Sequence, residues 1–186
     1  MNEPNPYAPP AAPVADVQPV RDAMPEPIFF AVSIPKLLLM SLCTLGLYPI
    51  YWFYRNWTLI MYQERLVISP AWRALFSIFY CYSCFARIRD FSHPAAPAAG
   101  SVPAGPLAAG FIVVSLLWRL PDPYWVVGLA SPLFLIPAQR RANQINGALE
   151  PGHDPNARFS GLNWVALVGG GLLLLLAILG ALMPVQ

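Results

Sequence analysis

The side chains able to do chemistry are few and lie far apart along the chain. Cys81 and Cys84 have the spacing of a redox motif, but both lie in an apolar run with no charge near them to stabilise a thiolate. His93 and His153 lie in separate predicted loops, and neither has a cysteine or histidine at the spacing of a metal-ligand set. The sequence therefore predicts no catalytic residue, no cofactor, no cofactor-binding residue and no metal ligand.

Acid–base chemistry at a membrane interface is the remaining catalytic hypothesis. It would draw on Glu64, Asp90, His93, Glu150, His153 and Asp154. No two of these residues have a spacing that specifies a reaction, and solvated loop charges account for them equally well. We therefore predict that the protein is not an enzyme.

Composition indicates a lipid bilayer as the environment of the chain. Of its 186 residues, 57% are hydrophobic and 11% are charged, and the mean hydropathy is +0.52. Soluble domains carry about 25% charged residues, so this chain has too little charge to solvate the surface of a soluble globule. The net charge of +2 is too small to imply a nucleic-acid partner.

Uncharged runs indicate which segments cross the membrane. They cover residues 37–54, 74–86, 91–118, 123–139 and 159–186. A helix needs about 20 mostly apolar residues to cross the hydrocarbon core. We predict an all-α, polytopic transmembrane bundle of four to five helices near residues 35–57, 70–88, 103–119, 123–149 and 160–183. The run 74–86 has 13 residues and suits an interfacial or re-entrant helix as well as a short span.

The first 27 residues differ from the rest of the chain. They contain eight prolines, four acidic residues and one basic residue. Such a segment cannot bury enough apolar surface to offset the entropy lost on ordering. We predict a disordered proline-rich tail over 1–27 that serves as a spacer, followed by a single helical membrane domain over 28–186.

A short motif in the first apolar segment resembles a known family. Residues 44–48, Thr-Leu-Gly-Leu-Tyr, are followed by residues 51–55, Tyr-Trp-Phe-Tyr-Arg. This motif resembles small multi-pass bacterial membrane proteins that are grouped as a domain of unknown function, and residues 68–76 are similar to the next stretch of some of those proteins. The resemblance covers residues 29–85 and implies a location in the bacterial cytoplasmic (inner) membrane. It implies no activity, substrate or catalytic residue.

Five residues are assigned structural roles. Gly46 is expected to admit a close neighbouring helix, and Pro49 to kink the first span. Arg55, Arg140 and Arg141 are predicted to fix the topology or contact lipid headgroups, where each base contributes about 1 kcal/mol in an anionic leaflet.

The fourth segment continues into a polar stretch, and small residues interrupt the fifth. The stretch carries Gln139, Asn143, Gln144 and Asn146, and we expect it to be a helix lying in the cytoplasmic headgroup layer. Residues 169–171, three glycines in the last segment, are expected to permit close helix packing.

Two topologies satisfy the distribution of basic residues. With five spans the N-terminal tail is cytoplasmic, and with a non-spanning 74–86 segment the tail lies outside. Both place Arg140 and Arg141 on the cytoplasmic side and Arg119 outside, and the second obeys the positive-inside rule by one more base. The sequence therefore leaves the orientation open.

Two stretches of the chain match at an offset of 85 residues. The matched pairs are Arg55 with Arg140, Ile60 with Ile145, Pro70 with Pro155, and Arg73 with Arg158. A true repeat would resemble the duplicated halves of transporters. The alternative is coincidence between two helix starts in a proline-rich chain.

Two non-enzymatic functions stay open. The favoured one is a structural or interaction component of the membrane, whose partners are the lipid bilayer and a membrane protein or a second copy of the chain. The alternative is a small transporter or channel subunit, indicated by helix-breaking prolines and by polar residues such as Thr44, Ser115 and Ser131 inside the spans. Transport sites usually place an ionisable group near the midplane, and the predicted spans lack one.

Overall fold

The computed structural model of the protein describes residues 27–96 and 102–182. Within these residues the elements are helices, with no β-strand, which confirms the predicted all-α fold. The helices are α1 Ile34–Cys43, α2 Leu47–Gln63, α3 Pro70–Leu75, α4 Ser77–Asp90, α5 Ala104–Leu116, α6 Ile136–Leu149 and α7 Gly161–Leu182. Two 3-10 helices, Leu117–Arg119 and Tyr124–Leu135, lie between α5 and α6. The predicted tail lies, except for Pro27, outside the described residues.

Four of the five predicted helices are interrupted. The segment 35–57 divides into α1 and α2, and 70–88 divides into α3 and α4 at Phe76. The segments 103–119 and 123–149 each join an α-helix to a 3-10 helix. Within the described part of the chain, α7 alone is long and apolar enough to cross a membrane. The predicted count of four to five spans is therefore not established by helix length.

The break between α1 and α2 has a local cause. Leu45 and Gly46 adopt positive φ angles of 51° and 86°, the left-handed conformation that ends many helices. The Gly46 N–H donates to the Ser41 carbonyl at 3.0 Å and closes the end of α1. The Thr44 hydroxyl donates to the Met40 carbonyl and accepts from the Tyr48 N–H at 2.9 Å, so one side chain joins the two helices.

Aromatic side chains fill the space between α2, α4 and α5. The Phe53 ring lies 5.0 Å from Trp52, 5.9 Å from Phe85 and 5.4 Å from Phe111, measured between ring centroids. Cys81 and Cys84 are fully buried beside this cluster as free thiols, and Cys43 is half-buried. The two cysteines with redox-motif spacing therefore belong to the packed interior.

The last helix packs differently from the others. α7 lies against α1, and Leu167 is its one buried residue. The approach is closest at Gly170, where an added Cβ would overlap the Cys43 carbonyl oxygen. A Cβ on Gly169 would meet nothing within 4 Å. Close packing through the three glycines thus depends on the middle one.

Candidate functional site

An extended segment inside the helical bundle defines the most unusual site of the molecule. Residues 28–32 precede α1; the chain bends at Ile28 and Phe29 and then continues without helix, turn or bend to α1, and we call residues 28–32 the extended segment. Phe29, Phe30, Ala31 and Val32 are all buried. Residues 28–32 make no backbone hydrogen bonds with one another, and buried backbone groups need partners. Side-chain amides from other elements supply these partners.

Three amide residues of α6 face this segment. Gln139, Asn143 and Asn146 are spaced i, i+4 and i+7, so they lie on one side of the helix. The Asn146 side chain accepts from the Phe29 N–H at 2.9 Å and donates to the Phe29 carbonyl at 2.7 Å. This two-point pairing satisfies one residue of the segment as a neighbouring β-strand would.

The other two α6 amides bind the next residues of the segment. Gln139 donates to the Phe30 carbonyl at 2.9 Å and to Asn143 Oδ1 at 2.7 Å. Asn143 donates in turn to the Val32 carbonyl at 2.9 Å. The α6 face therefore binds Phe29, Phe30 and Val32 of the segment through neutral hydrogen bonds.

The opposite wall comes from α2 and from the loop before α7. Asn56 on α2 accepts from the Phe30 N–H at 3.2 Å, and the Trp52 indole N–H donates to Gln139 Oε1. Asn156 in the loop donates to the Ala31 carbonyl at 3.1 Å. We call Asn56, Gln139, Asn143, Asn146 and Asn156 the amide cluster.

The side chains of the amide cluster form hydrogen bonds and are not reactive groups. Asn56, Gln139 and Asn146 are completely buried. Neutral amides donate and accept hydrogen bonds but do not titrate in the physiological range, and each such bond stabilises the fold by about 0.5–1.5 kcal/mol. The cluster can therefore orient an extended backbone, and it offers no nucleophile or adjustable acid.

A buried lysine connects the amide cluster to the start of α7. Lys36 is 3% exposed, and its ammonium donates to Asn156 Oδ1 and to the Arg158 carbonyl, both at 2.7 Å. Asn156 thus bonds both to the extended segment and to Lys36. These hydrogen bonds hold in place the loop that precedes the apolar helix α7.

Two of the four acidic residues considered for catalysis, Glu64 and Asp90, pair with arginines. Glu64 forms an ion pair with Arg87. Both Asp90 carboxylate oxygens accept from Arg89, at 2.7 and 2.9 Å, and these hydrogen bonds lower the pKa of the Asp90 carboxyl. Within the described residues, the structure assembles no group of three or more acidic, histidine or cysteine side chains fit for a metal ion.

The five residues assigned from sequence do not form one site. Arg140 is exposed, whereas its neighbour Arg141 is 2% exposed and lies inside the protein. The Arg55 guanidinium is half-buried and lies 5.8 Å from the Phe30 ring centroid. Gly46 forms the left-handed break itself, and Pro49 is the third residue of α2, where a missing N–H removes no helical hydrogen bond.

The polar stretch of α6 is placed differently from the sequence prediction. The sequence predicts a helix in the headgroup layer, but Gln139 and Asn146 are 0% exposed, and Gln144 is exposed on the other face. The sequence does contain a signal for this burial. The i, i+4, i+7 spacing places the three amides on one side of the helix, whereas a helix surrounded by solvent carries polar residues on all sides. Asn56 and Asn156 carried no such signal.

Comparison with known proteins gives no relative. No protein-family model matches the chain, and neither a curated protein nor a solved structure matches it. The resemblance of residues 29–85 to a family of unknown function therefore stays a prediction.

Proposed function

We propose that this is a non-catalytic, multi-pass protein of the bacterial cytoplasmic membrane that acts as a structural or interaction component. The observation that carries the proposal is α7. Its 22 residues extend about 33 Å, enough to cross the hydrocarbon core. Since Leu167 is its one buried residue, the apolar surface of α7 is left to contact lipid.

Apolar surface continues beyond α7, which supports more than one membrane-embedded helix. Large exposed apolar side chains also occur on α1, α4, α5 and the second 3-10 helix; they include Leu39, Leu42, Phe79, Val113, Leu116, Val127 and Leu133. Each interrupted segment is short by itself, but α1 and α2 together contain 27 residues. Backbone breaks are tolerated at membrane depth when side chains satisfy the freed groups, as Thr44 does between α1 and α2.

The amide cluster supports an interaction role. It fixes residues 29–32 against α2 and α6, so the segment that follows the proline-rich sequence is held in place. A membrane-embedded body that anchors this segment suits a component that uses the proline-rich sequence to contact a membrane-protein partner or a second copy of the chain.

The experiment that tests the proposal combines extraction with cysteine labelling of the full-length chain. We expect the protein to resist alkaline carbonate and to be released by detergent. In a variant lacking the three native cysteines, Leu120→Cys should react with an impermeant thiol reagent in intact cells. Gln144→Cys should react only after permeabilisation, because both topologies place the two positions on opposite sides.

Two outcomes would contradict the proposal in different ways. Release by carbonate alone would show that the protein is peripheral. Equal labelling of both cysteines in intact cells would place residues 120 and 144 on one side, and the multi-pass arrangement would then be wrong even if α7 is an anchor.

A small transporter or channel subunit is the second candidate function. The observation that favours it is the number of helix breaks, since discontinuous helices place free backbone groups around transport sites. Three of these breaks meet at one cavity.

A further inference from the structure

A cavity of about 290 Å³ lies where three interruptions of the chain meet. Gly46 lines it at the break between α1 and α2, and Leu75 and Ser77 line it at the break between α3 and α4. Ser115 and Trp118 line it where α5 passes into the first 3-10 helix. The cavity is separate from the amide cluster, none of whose residues lines it.

Three serine hydroxyls in the wall have no hydrogen-bond partner among the described residues. They belong to Ser77, Ser115 and Ser131. Ser77 and Ser131 are more than nine-tenths buried, with 8% and 6% of their surface exposed. Their hydroxyls are open to the cavity, so a molecule bound there would supply the hydrogen-bond partner that polar side chains in packed regions nearly always have.

The backbone adds donors at the same place. α4 begins at Ser77 in the cavity wall, and its N-cap residue, Phe76, offers no side-chain acceptor. The Phe79 N–H donates to the Phe76 carbonyl at 3.0 Å, whereas the N–H groups of Ser77 and Ile78 have no partner within the helix and favour an electronegative atom. The serine hydroxyls and the start of α4 therefore both suit an oxygen acceptor.

The rest of the wall restricts what carries that oxygen. Among the described residues, no charged side chain lines the cavity, and apolar surface is provided by Pro49, Ile50, Ile78, Phe111 and Trp118. An ion would lose its hydration here without gaining an opposite charge, so its binding would be unfavourable. An uncharged molecule fits better, because its oxygen can bond to the serines while its apolar body contacts the apolar side chains. We propose that the cavity binds a small uncharged molecule with an apolar body and one hydroxyl or carbonyl group, held by Ser77, Ser115 and Ser131.

Binding at the cavity requires only the folded helices around it, and neither a spanning topology nor transport. If carbonate releases the protein and the membrane proposal fails, the titration described next is done in buffer instead of nanodiscs, so the two proposals fail separately.

Trp118 provides the measurement because its ring forms part of the wall. The full-length protein in phosphatidylcholine nanodiscs is titrated with 4-bromobenzyl alcohol, whose bromine quenches indole fluorescence on contact. The site signal is the saturable quenching that disappears in the Trp118→Phe variant. 4-Bromotoluene has the same ring without the hydroxyl and serves as the matched probe.

We expect the alcohol to bind wild-type protein at least tenfold more tightly than it binds the variant with Ser77, Ser115 and Ser131 all changed to alanine, as lost neutral hydrogen bonds imply. 4-Bromotoluene should bind both proteins equally. Ser83→Ala on α4 is the control, because Ser83 does not line this cavity. Equal affinity of the alcohol for wild type and the triple variant would overturn the proposal.

Two further outcomes decide the remaining cases. Quenching that never saturates would show dissolution in lipid only, and equal binding of the two probes to wild type would show an acyl-chain groove; either overturns the proposal. If the triple variant exposes the buried thiols of Cys81 and Cys84, it is misfolded. The single variants Ser115→Ala and Ser131→Ala then give the decisive affinities, each expected to fall severalfold.

Discussion

α7 and the amide cluster distribute polar and apolar groups in opposite ways. α7 leaves most of its apolar side chains exposed, and Leu167 is its one buried residue. The amide cluster buries polar side chains, with Asn56, Gln139 and Asn146 at 0% exposure. The difference follows from the backbone: a helix satisfies its own N–H and C=O groups, whereas the extended segment 28–32 does not. Polar side chains are therefore buried where the backbone lacks partners.

The largest effect is expected from removing the two-point contact in the amide cluster. Asn146→Ala would leave both the N–H and the carbonyl of Phe29 buried without a partner, at a cost of about 2–6 kcal/mol. The measurement is thermal unfolding in detergent. Unfolding is monitored by the reactivity of the buried Cys81 and Cys84 thiols in a Cys43→Ala background.

The matched control for this variant is Gln144→Ala, an exposed amide on the same helix. We expect its unfolding midpoint to stay within the error of the parent protein. If Asn146→Ala unfolded at the parent temperature, the extended segment would not depend on the cluster, and the contrast with α7 would disappear.

A smaller effect is expected where α7 approaches α1. Gly170→Ala would press a methyl group against the Cys43 carbonyl, and separating the helices should cost about 1–3 kcal/mol. Gly169→Ala is the control, since a Cβ there meets open space. Equal stability of the two variants would show that α7 is not held at Gly170.

The helix approach can also be measured directly by cross-linking. A Cβ on Gly171 would lie 3.8 Å from the Cys43 sulfur, so Gly171→Cys should form a disulfide with Cys43 on mild oxidation in a background lacking Cys81 and Cys84. Adding Gly170→Ala should lower the cross-linking yield, whereas adding Gly169→Ala should not.

The smallest effect is expected at the edge of the amide cluster. Asn143→Ala removes the bond to the Val32 carbonyl, but Asn143 is half-buried and water can replace it. We expect a loss of about 0.5–1.5 kcal/mol in the same unfolding assay. A loss as large as that of Asn146→Ala would show that the stability contributed by an amide on this face of α6 does not depend on how deeply the amide is buried.

The sequence predictions are confirmed where they depend on neighbouring residues alone, as for an uninterrupted apolar run or a proline in the first turn of a helix. The long uncharged run near 160–183 corresponds to α7, the one predicted helix that is uninterrupted. Pro70 begins α3, as expected for proline in the first turn. The matching Pro155 lies in the loop before α7, so the two members of that pair do not begin equivalent helices.

The break between α1 and α2 was harder to locate from sequence. Pro49 was the visible helix-breaker, but the chain turns at Leu45 and Gly46. Leucine rarely adopts a positive φ angle, so only packing around this turn, including the Thr44 hydroxyl contacts, selects that conformation. Local sequence preferences therefore predicted that the helix is interrupted near Pro49, but not that the break lies at Leu45 and Gly46.

The helical class and the strongest candidate for a membrane span follow from the sequence, because the length of an apolar run and its low charge do not depend on distant residues. The amide contacts depend on the fold. Asn146 contacts Phe29 across 117 positions, and Asn156 contacts Ala31 across 125. Whether an amide faces water or an unpaired backbone depends on which segments the fold brings together, and hydropathy along the chain does not contain that information.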